Sequence, residues 1–247
     1  MKKAVSLLLA LTMVFTLCGC GNSNKKAFEK SKNAYNKINS AYSGAEIFGS
    51  AIYEAWYQAI NNSKEIEKRI DTREGDNAMK YLASEIGIKS EHLIAGGRMA
   101  LYSAMGLSPD NVPEDMSEAV NSIIEAYDKN PDLGFEIARL IGKQMNKPIE
   151  KYDYLVSATV FAFKDAGITD EIQGLLDESK AEMKELSEKY SDYEHYPNLK
   201  GFYTTTNSFF DFCTHPSGSF EQLVETINSY KNEARDYKAD LDYIFED

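Results

Sequence analysis

A seven-residue repeat of apolar and small side chains runs through residues 28–59. Its members are spaced alternately by three and four residues: Phe28, Ser31, Tyr35, Ile38, Tyr42, Ala45, Gly49, Ile52, Trp56 and Ala59. This spacing places one stripe along a long helix and favours slight left-handed supercoiling against neighbouring helices. Ala45 and Gly49 predict a close helix crossing on this stripe, although Gly44 and Gly49 are equally compatible with a kink.

Two further segments carry the same repeat. Their members are Ile172, Leu176, Ser179, Met183, Leu186 and Tyr190, and then Phe220, Leu223, Ile227, Tyr230, Ala234, Tyr237, Leu241 and Ile244. Ser219 and Gln222 form a capping box before the last segment. Thr169 is the predicted cap of the other segment, with Asp170 and Glu171 at the positive end of the helix dipole. Three long helices with matching seams predict a bundle.

The intervening helices are predicted to be shorter, with proline at first-turn positions as the main marker of their starts. The predicted ranges are 76–86, 90–106, 113–128, 131–143, 148–166 and 197–213. The last of these turns Leu199, Phe202, Thr206, Phe209 and Cys213 inward. No segment shows the two-residue alternation of a strand. The predicted fold is all-α: a multi-helix bundle with long N- and C-terminal helices and a lobe of shorter helices at 76–166.

The N-terminus has the layout of an export signal. Lys2 and Lys3 precede an uncharged, mostly apolar run at 4–17, which is shorter than the roughly 20 residues of a membrane-spanning helix. The run ends in Leu17-Cys18-Gly19-Cys20, which resembles the lipobox of bacterial lipoproteins. The resemblance covers about the first 21 residues. Cys20 is a better match than Cys18, because bulky Leu17 stands before Cys18 where a small residue belongs.

The resemblance implies a division of the chain. Residues 1–19 are a cleaved lipoprotein signal peptide, residues 20–26 a lipid-anchored tether, and residues 27–247 a single α-helical extracytoplasmic domain. Cys20 takes the lipid and holds the protein on the extracytoplasmic face of the cell membrane, where several acyl chains give stable anchoring. The alternative is ordinary secretion after cleavage, without lipid. The remainder of the chain resembles only uncharacterised helical lipoproteins of Gram-positive bacteria, a resemblance that implies no function.

The charge balance is acidic. The net charge is −12, and cleavage before Cys20 removes two lysines and no acid, which makes it −14. Such a surface argues against nucleic acid as a partner, because that binding depends on neutralising phosphates. Residues 21–40 are the exception, with Lys25, Lys26, Lys30, Lys32 and Lys37 against one acid. These lysines either favour an anionic membrane surface or form the solvated face of a helix start.

Motifs for catalysis, metals and nucleotides are missing from the sequence. It contains no P-loop, no GxGxxG, no HExxH and no GxSxG, and its three histidines lack the spacing of a zinc site. Asp192 and His195 have the spacing of a helical metal pair, but a di-iron bundle needs two Glu-x-x-His motifs and two further glutamates. Paired Gly96-Gly97 indicates close helix packing or a kink, and Cys213 is predicted to be a buried, inert thiol.

The sequence therefore predicts no catalytic residue, no metal and no cofactor. Aromatic residues are frequent, with 16 Tyr and 12 Phe. Tyr193, Tyr196 and Tyr203 cluster with His195 where two predicted helices meet, and they form a candidate interaction patch because tyrosine is favoured at recognition surfaces. The predicted function is a non-enzymatic interaction or binding module at the cell envelope. The alternative is a small-ligand-binding or accessory subunit of an envelope transport system.

Overall fold

The computed structural model describes residues 2–61 and 78–245, with side chains from residue 24 onward. Nine α-helices and no strand occur in these residues. The helices are α1 (Lys2–Asn61), α2 (Ala78–Glu85), α3 (Ser90–Ala104), α4 (Ser117–Lys129), α5 (Gly134–Gln144), α6 (Lys151–Asp165), α7 (Ile168–Lys189), α8 (Tyr196–Thr214) and α9 (Phe220–Phe245). The predicted all-α class is confirmed, and positions 76 and 77 of one predicted helix lie outside the described residues.

The seams predicted from the seven-residue repeats are confirmed. Along α1 every seam residue from Ser31 to Ala59 is buried, and Phe28 is half-buried. On α9 the end of the seam is corrected, because Phe245 is 2% exposed while Ile244 is half-buried. A second line on α1, spaced by seven residues, is also buried: Ala27, Ala34, Ala41, Phe48 and Ala55. The buried face of α1 is therefore wider than one stripe.

Helix starts agree less closely with the sequence. The Ser219–Gln222 capping box is present, with the Ser219 N–H donating to Gln222 Oε1 at 2.8 Å and the Gln222 N–H to Ser219 Oγ at 3.3 Å. The predicted cap at Thr169 is wrong, because α7 already begins at Ile168, directly after Gly167 with φ 75°. Helix α6 begins three residues after Pro148. Short 3-10 turns, Glu114–Met116 and Pro131–Leu133, precede α4 and α5.

The chain divides into two compact units. The first comprises Met1–Ser43, Gln173–Ser208 and Tyr230–Asp247. Its described core contains an aromatic cluster in which the ring of Phe202 lies 6.0 Å from that of Tyr35 and 5.7 Å from that of Tyr42. The ring of Phe245 lies 5.4 Å from that of Tyr35. These contacts join parts of α1, α8 and α9 within the unit.

The second unit comprises Gly44–Ile172 and Phe209–Ser229. It contains the predicted lobe and also takes in part of α1, the end of α8 and the beginning of α9. A single domain over residues 27–247 stays a prediction. Within this unit α3 packs closely along α6, because a Cβ atom on Gly96 would lie 2.2 Å from the carbonyl oxygen of Ala158. The prediction of close packing at Gly96-Gly97 is confirmed.

The close crossing predicted at Gly49 is confirmed as well. A Cβ atom on Gly49 would lie 2.8 Å from the ring of Phe209 on α8. The thiol of Cys213, one turn further along α8, is fully buried and lies 3.9 Å from the carbonyl oxygen of Ala45. Small residues on α1 thus give α8 the room to approach, and the predicted burial of Cys213 is confirmed.

Candidate functional site

The aromatic patch predicted around residue 193 is only partly assembled. Tyr193, His195, Tyr196 and Tyr203 are all half-buried. The rings of Tyr193 and His195 meet edge to face, with centroids 5.3 Å apart and an interplanar angle of 87°. Burial raises the pKa of the Tyr203 phenol, and the charge of Asp177 acts in the same direction. Tyr203 therefore faces the acidic helix α7, whereas Tyr193 and His195 form a local pair.

Two lysines in the middle of α1 form ion pairs with acids on α7. Lys30 Nζ lies 2.6 Å from Glu185, and Lys37 Nζ lies 2.9 Å from Glu178 and 2.8 Å from Glu182. These ion pairs hold the two helices side by side in the first unit. Lys30 and Lys37 thus pair with acids, and the two expected roles of these lysines, membrane contact or a solvated face, stay predictions. Lys25 and Lys26 are exposed.

The predicted lipid site lies outside this description. Cys20 precedes the residues whose side chains the structure describes, and residues 24–26, which end the predicted tether, are helical and exposed. Among the described helices none is long and apolar enough to cross a membrane. Within the same residues, no group of three or more His, Cys, Asp or Glu side chains is placed to hold a metal ion.

An open cleft of about 290 Å³ lies beside Trp56 and Tyr152 in the second unit. The indole of Trp56 and the ring of Tyr152 stack almost in parallel, with centroids 4.9 Å apart and an interplanar angle of 4°. The remaining lining residues come from α3, α6, the end of α8 and the connection to α9: Ser103, Asp153, Val156, Ser157, Val160, Phe161, Thr214, Pro216, Ser217 and Gly218. This combination of an aromatic wall with a few polar groups is typical of ligand sites.

The aromatic wall extends beyond the cleft. The ring of Phe220 lies 6.0 Å from Trp56, and Tyr53 stacks on Phe220 at 5.6 Å. Tyr57 continues the row at 6.0 Å from Tyr53 and is 38% exposed. Residues from α1, α6 and α9 thus form one aromatic row, and its position is set by the seam of α1, which buries Trp56 to 6% exposure.

A second open cleft, of about 320 Å³, adjoins the first. The two clefts share Ser103, Asp153 and Ser157. The second cleft adds Lys147 as its cationic side chain, and its other lining residues are Ala100, Ala104, Pro148, Ile149 and Tyr154. The shared edge therefore brings two hydroxyls and one carboxylate together.

Asp153 holds its position through a capping box at the start of α6. The Glu150 N–H donates to Asp153 Oδ2 at 3.3 Å, and the Glu150 side chain accepts the N–H of Asp153 in return. Partial burial raises the pKa of the Asp153 carboxyl, and the hydrogen bond from Glu150 opposes that shift. Asp153 has no ion-pair partner in the described part of the chain. It is a fixed carboxylate, available to a ligand in either cleft.

The sequence did not single out this cleft. Trp56 was predicted as a core residue on the seam of α1, which is correct, but its contact with Tyr152 could not be read from spacing. The signal that was present is the pair Glu150 and Asp153, which has the three-residue spacing of a capping box. This pair marks the observed start of α6, whereas Pro148 lies three residues before Lys151.

The arrangement can bind, orient and partly desolvate a small group. The polar side chains among the described lining residues are one carboxylate, several hydroxyls and, in the second cleft, Lys147, and these residues include no cysteine or histidine. A scan against protein-family models finds no match for the chain, and searches of curated proteins and of solved structures find none either.

Proposed function

We propose that this chain is an extracytoplasmic lipoprotein, anchored in the membrane by lipid on Cys20, whose helical body is a non-enzymatic binding module. The anchor is supported by the order of charged start, apolar run and Cys box in residues 1–21. Binding is supported by one observation above all, the open cleft lined by Trp56, Tyr152 and Asp153. A lipid anchor and an open cleft together suit a protein that captures a component of the envelope.

The anchor is tested with two matched variants. Cys20→Ala should abolish lipidation and release the protein from the membrane, whereas Cys18→Ala should be lipidated like the wild type. The measurement is mass spectrometry of the processed N-terminal peptide, together with detergent partitioning of cell fractions. Lipid on the Cys20→Ala protein, or loss of lipid in Cys18→Ala, would show that Cys20 is not the modified residue.

The binding role is tested in cells with a photo-crosslinking amino acid. Placed at Val160, which lines the cleft, it should give a discrete adduct on irradiation, because a bound component lies within reach. The control places the same group at Lys180, an exposed position on α7. Equal adducts at both positions, or none at Val160, would contradict a binding cleft at this place.

Small-ligand binding is the second candidate function, and the size of the cleft favours it. Ligand pockets usually have volumes of about 300–1,000 Å³, and the cleft of about 290 Å³ is close to the lower end of that range, which suits a small molecule or a single side chain. If the protein serves a transport system, the adduct at Val160 should have the mass of a small molecule. A macromolecular adduct would instead favour the interaction module.

A further inference from the structure

The described residues that line the cleft at Trp56 include one charged side chain. Asp153 is the only charged side chain among the 12 described residues that line it. Asp153 has no ion-pair partner among the described residues, so a cation that enters the cleft is attracted by its charge, whereas phosphates and carboxylates are repelled. The net charge of the chain, −12, adds a long-range attraction for cations. Charge therefore selects cationic ligands for this cleft.

The aromatic wall has the same preference. Trp56 and Tyr152 stack in parallel, and both line the cleft. The face of an aromatic ring carries partial negative charge and attracts a cation within about 6 Å of its centroid, with Trp the strongest of the three ring types. Because the stacked rings cover one face of each other and Trp56 is only 6% exposed, this contact is left to the outer face of Tyr152.

The neutral lining residues indicate the shape of the cation. Ser103 and Ser157 line the shared edge together with Asp153, so this edge offers three acceptors for the three N–H donors of a primary ammonium group. Val160 and Phe161 form an apolar stretch of the same cleft. An aliphatic stem that packs against that stretch is removed from water, which is favourable.

The second cleft limits where such a ligand can lie. Lys147 lines it and repels a cation there. The stem of the ligand therefore extends from the shared edge toward Trp56 and not toward Lys147.

We propose that this cleft binds a primary ammonium group carried on an aliphatic stem, with Asp153 as its counter-ion and Trp56 and Tyr152 as its aromatic wall. The inference rests on the proposed binding function and names the ligand class of the same cleft. Two sources provide this chemistry, a free alkylamine and the side chain of a lysine in a peptide.

The full chain, extracted in a neutral detergent, supplies its own reporter. Trp56 is the only tryptophan of the sequence, so its fluorescence reports on the cleft alone, and calorimetry gives an independent dissociation constant. The probes are 1,5-diaminopentane for the free amine, N-acetyl-lysine N-methylamide for the peptide, and N-acetyl-norleucine N-methylamide as the neutral analogue. We expect the two amines to shift the emission saturably and the norleucine probe to bind at least about fivefold more weakly.

Asp153→Asn removes the charge and keeps an oxygen that can accept the Glu150 N–H, so the start of α6 is preserved. It should weaken binding of both amines at least about fivefold, whereas Asp110→Asn, an exposed acid with the same change of charge, should stay within about twofold. The tighter of the two amines identifies the source.

The possible failures are distinct. If the lysine and norleucine probes bind equally, or if Asp153→Asn binds the amines like the wild type, the ammonium inference is wrong while the binding cleft stands. If no probe of either charge binds by fluorescence or calorimetry, and crosslinking at Val160 yields nothing, the proposed binding function is wrong as well. The comparison between lysine and norleucine uses the wild-type chain, so it remains decisive if Asp153→Asn does not fold.

Discussion

Thr206 is a polar side chain in an apolar place. It lies on the inward face of α8, is fully buried, and its hydroxyl has no hydrogen-bond partner among the described residues. A buried hydroxyl without a partner costs free energy because its hydration is lost and not replaced. Valine has nearly the same shape, so Thr206→Val should raise the free energy of unfolding by up to about 1 kcal/mol, as measured by chemical denaturation.

Thr159 is the matched control. It is equally buried, but its hydroxyl donates to the carbonyl oxygen of Leu155 at 2.9 Å. Thr159→Val should lower the free energy of unfolding by about 0.5–1 kcal/mol, because it removes a bond that is formed. If both variants shift stability in the same direction and by the same amount, the hydroxyl of Thr206 has a partner after all.

At the scale of elements, the crossing of α3 and α6 depends on the missing side chain of Gly96. A Cβ atom there would lie 2.2 Å from the carbonyl oxygen of Ala158 and 2.7 Å from the amide nitrogen of Ala162. Backbone atoms cannot move aside without parting the helices. Gly96→Ala should therefore lower the free energy of unfolding by about 1–3 kcal/mol, although alanine favours the helix by itself.

Gly174 on α7 separates this effect from helix propensity. A Cβ atom there would meet nothing within 4 Å, so Gly174→Ala should stabilise the protein by about 0.5–1 kcal/mol. Thermal and urea unfolding of the two variants measure the difference. A Gly96→Ala protein that is as stable as Gly174→Ala would contradict the close crossing.

The ion pairs between α1 and α7 should make the stability of the first unit depend on pH in both the acidic and the alkaline range. The Glu185 pKa is lowered from its usual value of 4.5 by hydrogen bonds from Lys30 and then Lys189. Its contribution to stability is present above that value and is lost as pH falls through the lowered pKa. The Lys37 pKa is raised from 10.5, mainly by Glu182 and Glu178, so its contribution is present below that value and is lost as pH rises through the raised pKa.

Neutral variants should therefore flatten opposite ends of the curve of melting temperature against pH. Glu185→Gln should weaken the loss of stability in acid, and Lys37→Gln the loss in alkali. Glu188→Gln is the control, because it removes the same charge from an acid that pairs with Lys184 at 3.9 Å. In acid, the melting temperature of this control should fall more steeply than that of Glu185→Gln. Identical acid profiles for the two glutamine variants would show that the pairing of Glu185 with Lys30 adds nothing.

The elements of this fold could be predicted from the sequence where burial is periodic. Buried residues such as Ile38 and Leu176 on the seams, and Phe202 on the inward face of α8, were predicted correctly because their spacing repeats along a whole helix. Helix starts were predicted less well, because one local interaction decides each of them. Gly167, with φ 75°, follows the end of α6 and lets α7 begin at Ile168, one residue before the expected cap. A periodic pattern of buried residues does not reveal such a turn.

At the scale of the whole molecule, the candidate cleft could not be predicted because its parts are distant in the sequence. Trp56, Ser103, Asp153 and Ser217 belong to four separate segments and meet only when the second unit has folded. Spacing rules find sites built within one segment, such as the lipobox. The residues that predict Cys20 as the lipid site all lie within one segment, whereas the cleft depends on the packing of α1, α3 and α6.

The helices from residue 24 onward should fold without the proposed lipid anchor. Residues 24–26 are exposed, and the first buried side chain of the described residues is Ala27, at 1% exposure. A chain that begins at residue 24 keeps the contact of Phe28 with Phe245, whose rings lie 5.5 Å apart. It also keeps the hydrogen bond that Tyr35 donates to Asp242. We expect its melting temperature, followed by circular dichroism, to match that of the lipidated protein in detergent.

A chain that begins at residue 36 is the contrasting case. It lacks Ala27, Ser31 and Ala34, all at most 1% exposed, and with Phe28 and Tyr35 it loses part of the aromatic cluster of the first unit. Each large buried side chain removed from a core costs about 2–5 kcal/mol, so this chain should melt well below the one that begins at residue 24. If the longer chain melted as low as the shorter one, the residues before position 24 or the lipid itself would be supporting the fold. The tether would then contribute to the stability of the fold in addition to linking it to the membrane.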